Sequence, residues 1–241
     1  MSRLFSYILR YDDGAAPNPF NNMCSLAICK PKIRSVASIG DWVVGLGSKP
    51  SGKSGYLIYA MYVERVLPMK DYDQQAIACW RHRIPDTKSY ALQDHLGDCI
   101  YDYSTIISNR PKQRSSVHGN GKDIDSGTVD IDLGGKNVLL SFNKFYYFGN
   151  QAIKLPPQLE GINPHVNNQN QGHRSNSNND YFKDFEKWIA NQKSGQNGWP
   201  DHYNSCGVCV PHINNDQNSE IDECIKNDEH LEFESDVKVT E

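Results

Sequence analysis

The chain has 241 residues, of which 38 % are hydrophobic and 22 % charged; this suits one compact domain with extensions outside its core. No apolar run approaches the roughly 20 residues of a membrane span, and Arg10, Asp12 and Asp13 interrupt the opening stretch too early for a secretory leader, so a soluble, cytoplasmic protein with no membrane partner is expected. The net charge of −4 hides an asymmetry: residues 216–241 hold ten acids and two bases, so the rest of the chain sums to +4.

In chain order, residues 2–9 predict a strand, fully or half buried, and residues 11–20, with Gly14, Pro17 and Pro19, a loop. Residues 26–29 predict a short strand, 30–34 a basic turn and 42–46 a strand. Residues 47–55 are a basic, glycine-rich loop, and residues 56–67, rich in Tyr, Ile, Leu and Val, form the clearest strand, antiparallel to the one before. Residues 70–83 have helical spacing. Residues 85–135 are irregular and polar, with a short strand near 99–103. Strands follow at 137–142 and 144–148. Residues 161–179, with seven asparagines, read as a loop, and residues 180–193 as an amphipathic helix with Phe182, Phe185, Trp188 and Ile189 on one stripe. Residues 201–241 read as weakly folded. The fold class expected is α+β: a small mixed, mainly antiparallel β-barrel with flanking helices and an irregular polar tail, divided as residues 1–195 and 196–241.

Several segments carry chemistry. Gly47-x4-Gly52-Lys53-Ser54 has the spacing of a phosphate loop, but a strand-like segment follows it where a helix must open, so a hairpin loop is expected. Asp12 and Asp13, after the first strand, suit a general base or a metal ligand, or simply a turn. Lys30, Lys32 and Arg34 place a base at every second residue, which on an extended chain aligns them for successive phosphates. Asp41 closes a turn and Trp42 packs in a core or stacks on a base. Residues 110–118 offer cations, hydroxyls and the imidazole of His118, as a lid over a polyanion or as an exposed loop. Of the seven cysteines, Cys24, Cys29, Cys79 and Cys99 lie in or beside apolar stretches and read as small hydrophobes. Cys206 and Cys209, near His202, His212 and Cys224, read as thiols on a loose segment, with zinc as the alternative. No cofactor is expected.

The runs Arg10-Tyr-Asp-Asp-Gly-Ala-Ala-Pro-Asn-Pro-Phe20, Cys24-Ser-Leu-Ala-Ile-Cys-Lys-Pro-Lys-Ile-Arg34 and Gly40-Asp-Trp-Val-Val-Gly-Leu-Gly-Ser-Lys49 resemble the second class of nucleotide-modification-associated domains. Gly97-Asp-Cys-Ile-Tyr101, Ser115-Ser-Val-His118, Tyr147-Phe-Gly149 and Gly172-His173 fit the same pattern, over residues 1–195 in all. The family pattern pairs two histidines near the serines, whereas this chain has His118 alone. The resemblance implies a bacterial or phage setting in which DNA bases are altered or phage are resisted. The Gly-Asp-Trp-Val-Val-Gly turn is also similar to that of PUA-like barrels, which read modified bases.

Three functions from different classes therefore stand. One is a binding module that holds a nucleotide, or a modified base in nucleic acid, in a basic cleft containing an aromatic ring. Its ligand-binding residues are Arg10, Asn18, Phe20, Lys30, Lys32, Arg34, Asp41, Trp42, Ser48 and Lys49, with Lys53 beside them. The other is a hydrolase or transferase of such a nucleotide, with Asp12 or Asp13 as base and His118 as acid. A third reading is a protein-interaction module in a phage-defence or modification operon, with the acidic tail 216–241 as its contact surface for a protein partner.

Overall fold

The computed structural model describes residues 2–118, 126–164, 173–174 and 176–201. The acidic segment 216–241 and the Cys206/Cys209 pair with its neighbouring ligand candidates lie outside the described residues.

The first strand, β1 (Leu4–Leu9), is buried along its whole length. A loop leads to β2 (Cys24–Leu26), the short helix α1 (Pro31–Val36) and β3 (Trp42–Gly47). A hairpin loop then gives β4 (Tyr56–Tyr62), so the Gly-Lys-Ser segment opens into a strand as its sequence suggests. Next come β5 (Arg65–Pro68), α2 (Met69–Ala78), α3 (Leu92–His95) and the hairpin β6 (Tyr101–Ile107) and β7 (Arg110–Gln113). Helix α4 (Ser126–Gly134) precedes β8 (Asn137–Ser141), β9 (Phe145–Tyr147) and β10 (Ile153–Lys154). The last elements are β11 (His173–Arg174), α5 (Phe182–Ile189) and β12 (Gly195–Gln196).

Seven strands form the main sheet in the order β11-β1-β3-β4-β9-β12, with β10 also pairing β4; a second sheet has the order β2-β8-β5. The pairs β1/β3 and β9/β12 are parallel and the other pairings antiparallel. The protein is thus α+β and mainly antiparallel, but the expected closed barrel is corrected. Among the described residues, the main sheet ends at β11 and β12 rather than joining them.

The reason lies in residues 56–67, read from sequence as one strand. They break at Val63-Glu64 and divide between the two sheets. Glu64 fixes the break by accepting hydrogen bonds from the Ser141 hydroxyl (3.0 Å), the Asn143 amide (2.8 Å) and the Phe142 amide. Burial alone would raise its carboxyl; the bonds from Asn143, Phe142 and Ser141 outweigh that and hold it down at about 2.

Strand alternation sends one set of side chains to each face of the main sheet. Leu4, Ile8, Trp42, Val44 and Leu46 face α5, packing with Phe185 and Ile189. Phe5, Tyr7, Val43, Tyr59 and Tyr147 face the second sheet and α1, packing with Leu26, Leu139 and Ile33. On the far side of the second sheet, Val138 and Leu140 pack with Tyr72 of α2, Val129 of α4 and Tyr101 of β6. The molecule is therefore layered, with the second sheet between the main sheet and the α2, α4 and β6 layer.

Candidate functional site

Between the two sheets runs a row of polar side chains. Tyr7, Gly45, Tyr59 and Tyr147 are successive cross-strand partners on β1, β3, β4 and β9. Gly45 makes the row possible: a Cβ there would stand 2.4 Å from a ring carbon of Tyr59. The Tyr7 and Tyr59 hydroxyls share a hydrogen bond of 2.8 Å, and the Lys30 ammonium stands 4.9 Å over the Tyr7 ring. At the other end the Tyr147 hydroxyl donates to Asp12 Oδ1 at 2.7 Å.

Asp12, in the loop that leaves β1, is 4 % exposed. Burial pushes its carboxyl up to about 8, against the Tyr147 hydrogen bond, with the charges of Asp201 and Asp13 adding to the rise and that of Lys53 opposing it. Lys53 pairs with Asp201. Asp13 closes a turn, accepting from the Ala15 amide at 2.9 Å. His118 pairs with Asp132, Asp12 accepts from Tyr147 and Asp13 from its own turn, so the contacts shown hold the expected base and acid to different partners.

Most of the other residues expected to hold ligand have architectural roles. Residues 31–36 form α1 rather than an extended chain, because Pro31 suits the first helical turn, so Lys30, Lys32 and Arg34 do not share a face. Lys30 lies under the polar row and Lys32 is half-buried. Arg34 is fully buried, its guanidinium donating to the carbonyls of Cys29 (2.6 Å), Ala27 (2.8 Å), Asn137 (2.9 Å) and Asp132. It is no phosphate contact.

Asn18 donates to the Leu96 carbonyl (2.7 Å) and accepts from Arg83, a second buried arginine that also binds the Phe20 and Met23 carbonyls (2.7 and 2.6 Å). Phe20 packs with Leu92, Leu96 and Trp199. Asp41 binds Arg3 at 2.7 Å, and Trp42 packs under α5 with its indole donating to Glu186 at 3.2 Å. Phe20 and Trp42 thus sit in separate cores and cannot hold one base between them. Ser48 caps the 48–51 turn, while Arg10 and Lys49 are exposed.

The structure gathers a different group around His118. Its Nε2 stands 3.2 Å from Asp132 Oδ2, which also accepts from the Tyr101 hydroxyl at 2.9 Å. Asp132 Oδ1 accepts from the Cys29 amide at 2.6 Å. Burial opposes ionisation of Asp132, but the His118 charge and hydrogen bond, with Arg34 beyond, hold its carboxyl below the usual range.

Across the same layer, a cleft of about 850 Å3 opens between residues 85–88 and the β6–β7 hairpin. Lys88, Arg110, Lys112 and Arg114 supply its cations and Ile107, Pro111 and Val129 part of its apolar wall. Arg114 is fixed by Asp73 at 2.7 Å, Arg110 pairs in solvent with Asp130 at 2.8 Å, and Lys112 and Lys88 are exposed. Among the described residues none that lines this cleft is aromatic, whereas the cleft expected from the sequence had Phe20 and Trp42 in its wall.

The signal for the cleft was visible in the chain. Arg110, Lys112 and Arg114 alternate as Lys30, Lys32 and Arg34 do, and here Arg110 and Lys112 lie on a strand that ends one residue before Arg114, so the alternation is geometric for those two. The tyrosine row left no such signal, since its members come from four strands.

No curated protein and no solved structure matches the chain. A family model described as nucleotide modification associated domain 2 matches residues 1–207. The runs of the loop after β1, of α1 and of β3 that resemble that family are thus the segments that build the row and its two ends, and the chain belongs to the nucleotide modification associated domain 2 family.

Proposed function

We propose that the protein binds a nucleotide, free or as a modified base in nucleic acid, in the cleft beside β7. The observation that carries this reading is the cleft itself: about 850 Å3, within the usual range for small-molecule sites, with four cations around a partly apolar wall. A nucleotide has the matching halves, a flat ring system for Ile107, Pro111 and Val129 and an anionic tail for Lys88 and Lys112. Arg110 can join the tail, because an exposed ion pair such as that with Asp130 holds it by only about 0–1 kcal/mol. Membership of a nucleotide-modification family supports the same ligand class.

The test is a thermal-shift and calorimetric screen of the full chain against nucleoside monophosphates, modified nucleotides and short oligonucleotides. A bound ligand raises the melting point, and the shift shrinks with added salt. Lys88→Glu with Lys112→Glu abolishes the shift and leaves the unliganded melting point in place, since both side chains are exposed. A screen without any shift, or a shift unchanged in the double variant, overturns the reading.

A second reading, an enzyme acting on such a nucleotide, is favoured by Asp12. A carboxyl that keeps its proton near neutral pH, hydrogen-bonded to Tyr147 and close to Lys53, is suited to proton transfer. It predicts conversion of a nucleotide that Asp12→Asn abolishes without weakening binding.

A further inference from the structure

We infer that Cys29, His118 and Asp132 form a binding site for one divalent transition-metal ion of the zinc type. The Cys29 sulfur, a ring nitrogen of His118 and a carboxylate oxygen of Asp132 all lie within 4.8 Å of one another. His118 and Asp132 are 5 % and 1 % exposed, so their convergence is not an accident of a crowded surface.

The arrangement separates two chemistries that share these residue types. In a thiol–imidazole–carboxylate relay the ring stands between the other two groups, and sulfur and carboxylate oxygen are on the order of 7 Å apart. A triangle whose sides are all within 4.8 Å has sulfur and oxygen on the same side of the ring, which is the arrangement of donors around a shared ion. Bonds of about 2.0–2.3 Å in a tetrahedral shell place neighbouring donors roughly 3.3–3.8 Å apart. The 3.2 Å between His118 Nε2 and Asp132 Oδ2 is already close to that spacing.

The surroundings are those of a held ligand set. The Cys29 amide and the Tyr101 hydroxyl each donate to Asp132, fixing the carboxylate plane. Arg34 donates to the Cys29 and Asp132 carbonyls and so ties both ligand-bearing segments together. One sulfur and one imidazole select zinc, cobalt or a similar ion over magnesium or calcium. Three protein donors leave a coordination position for water or a ligand oxygen, the pattern of catalytic rather than closed structural zinc.

The proposal stands apart from nucleotide binding, and its test reads the metal directly. The full chain is stripped with chelator and titrated with cobalt(II), then zinc(II). One equivalent of cobalt is expected, with a sulfur-to-cobalt charge-transfer band. Cys29→Ser loses the band, and His118→Gln weakens affinity by roughly 100-fold, on the scale or beyond that of a lost supporting contact. Cys206→Ser with Cys209→Ser keeps both. X-ray absorption of the wild-type zinc complex is independent of how the variants fold: one sulfur at about 2.3 Å with lighter neighbours supports the site. No stoichiometric uptake, a band that survives Cys29→Ser, or a zinc shell without sulfur or with several overturns it.

Discussion

At the scale of single residues, Asp12 has the largest consequence. An unfolded aspartate releases its proton near 3.8, whereas folded Asp12 keeps it to about 8. Between those values the unfolded chain binds fewer protons, so this group makes the fold less stable as pH rises. Asp12→Asn retains an acceptor for Tyr147 and removes the titration. The stability gap between variant and wild type, read from urea midpoints, therefore widens in the variant's favour from about pH 5 to about pH 8. A gap that does not change with pH contradicts the buried, protonated carboxyl. The sequence placed Asp12 and Asp13 side by side as equals. Their environments separate them, since Asp13 accepts from the Ala15 amide of its own turn while Asp12 accepts from a strand 135 residues away.

At the scale of elements, local pattern was a good guide wherever the chain decides its own structure. The strands at Leu4–Leu9 and Trp42–Gly47, the hairpin after them and the helix at Phe182–Ile189 all follow from short apolar runs bounded by turn residues or from a 3.6-residue stripe. It misled where a neighbour decides. Residues 30–34 alternate like a strand but become α1, because Pro31 starts a helix and the Arg34 guanidinium is drawn into a cage of carbonyls. Residues 126–134 have a weak pattern and become α4, whose Asp132 meets Cys29 and His118. The row across β1, β3, β4 and β9 was illegible for a related reason: it exists only once register is set, and register is a property of pairs of strands. Gly45 shows how strict that register is. Gly45→Ala forces a methyl group against the Tyr59 ring, and with both strands buried neither can yield cheaply. We expect a loss of about 1–3 kcal/mol in chemical denaturation; a neutral alanine would mean that the ring has room to turn.

At the scale of the whole molecule, two buried arginines join what the sheets leave separate. Arg34 links α1 to the α4 end and the start of β8, about a hundred residues away, and Arg83 links residues 18–25 to the turn before α3. Each gathers several carbonyls from separate segments onto one cation, a role the guanidinium fork suits and an ammonium does not. Arg34→Ala leaves four carbonyls without their cation and should cost at least about 3 kcal/mol, with Arg34→Lys recovering only part of it. An unchanged unfolding midpoint would return Arg34 to the role of a surface cation.

The path of the main sheet bears on how the protein is made. Its first strand leaves the ribosome at residues 4–9, but the neighbours at its two edges are residues 173–174 and 195–196. At a synthesis rate of about 5–20 residues per second, β1 waits roughly ten seconds or more for its outer partner. Throughout that interval an apolar ribbon has an open flank, a template for pairing with another nascent chain. Rapid overexpression shortens the distance between such chains and not the wait, so slow induction at low temperature is the condition that should favour soluble yield.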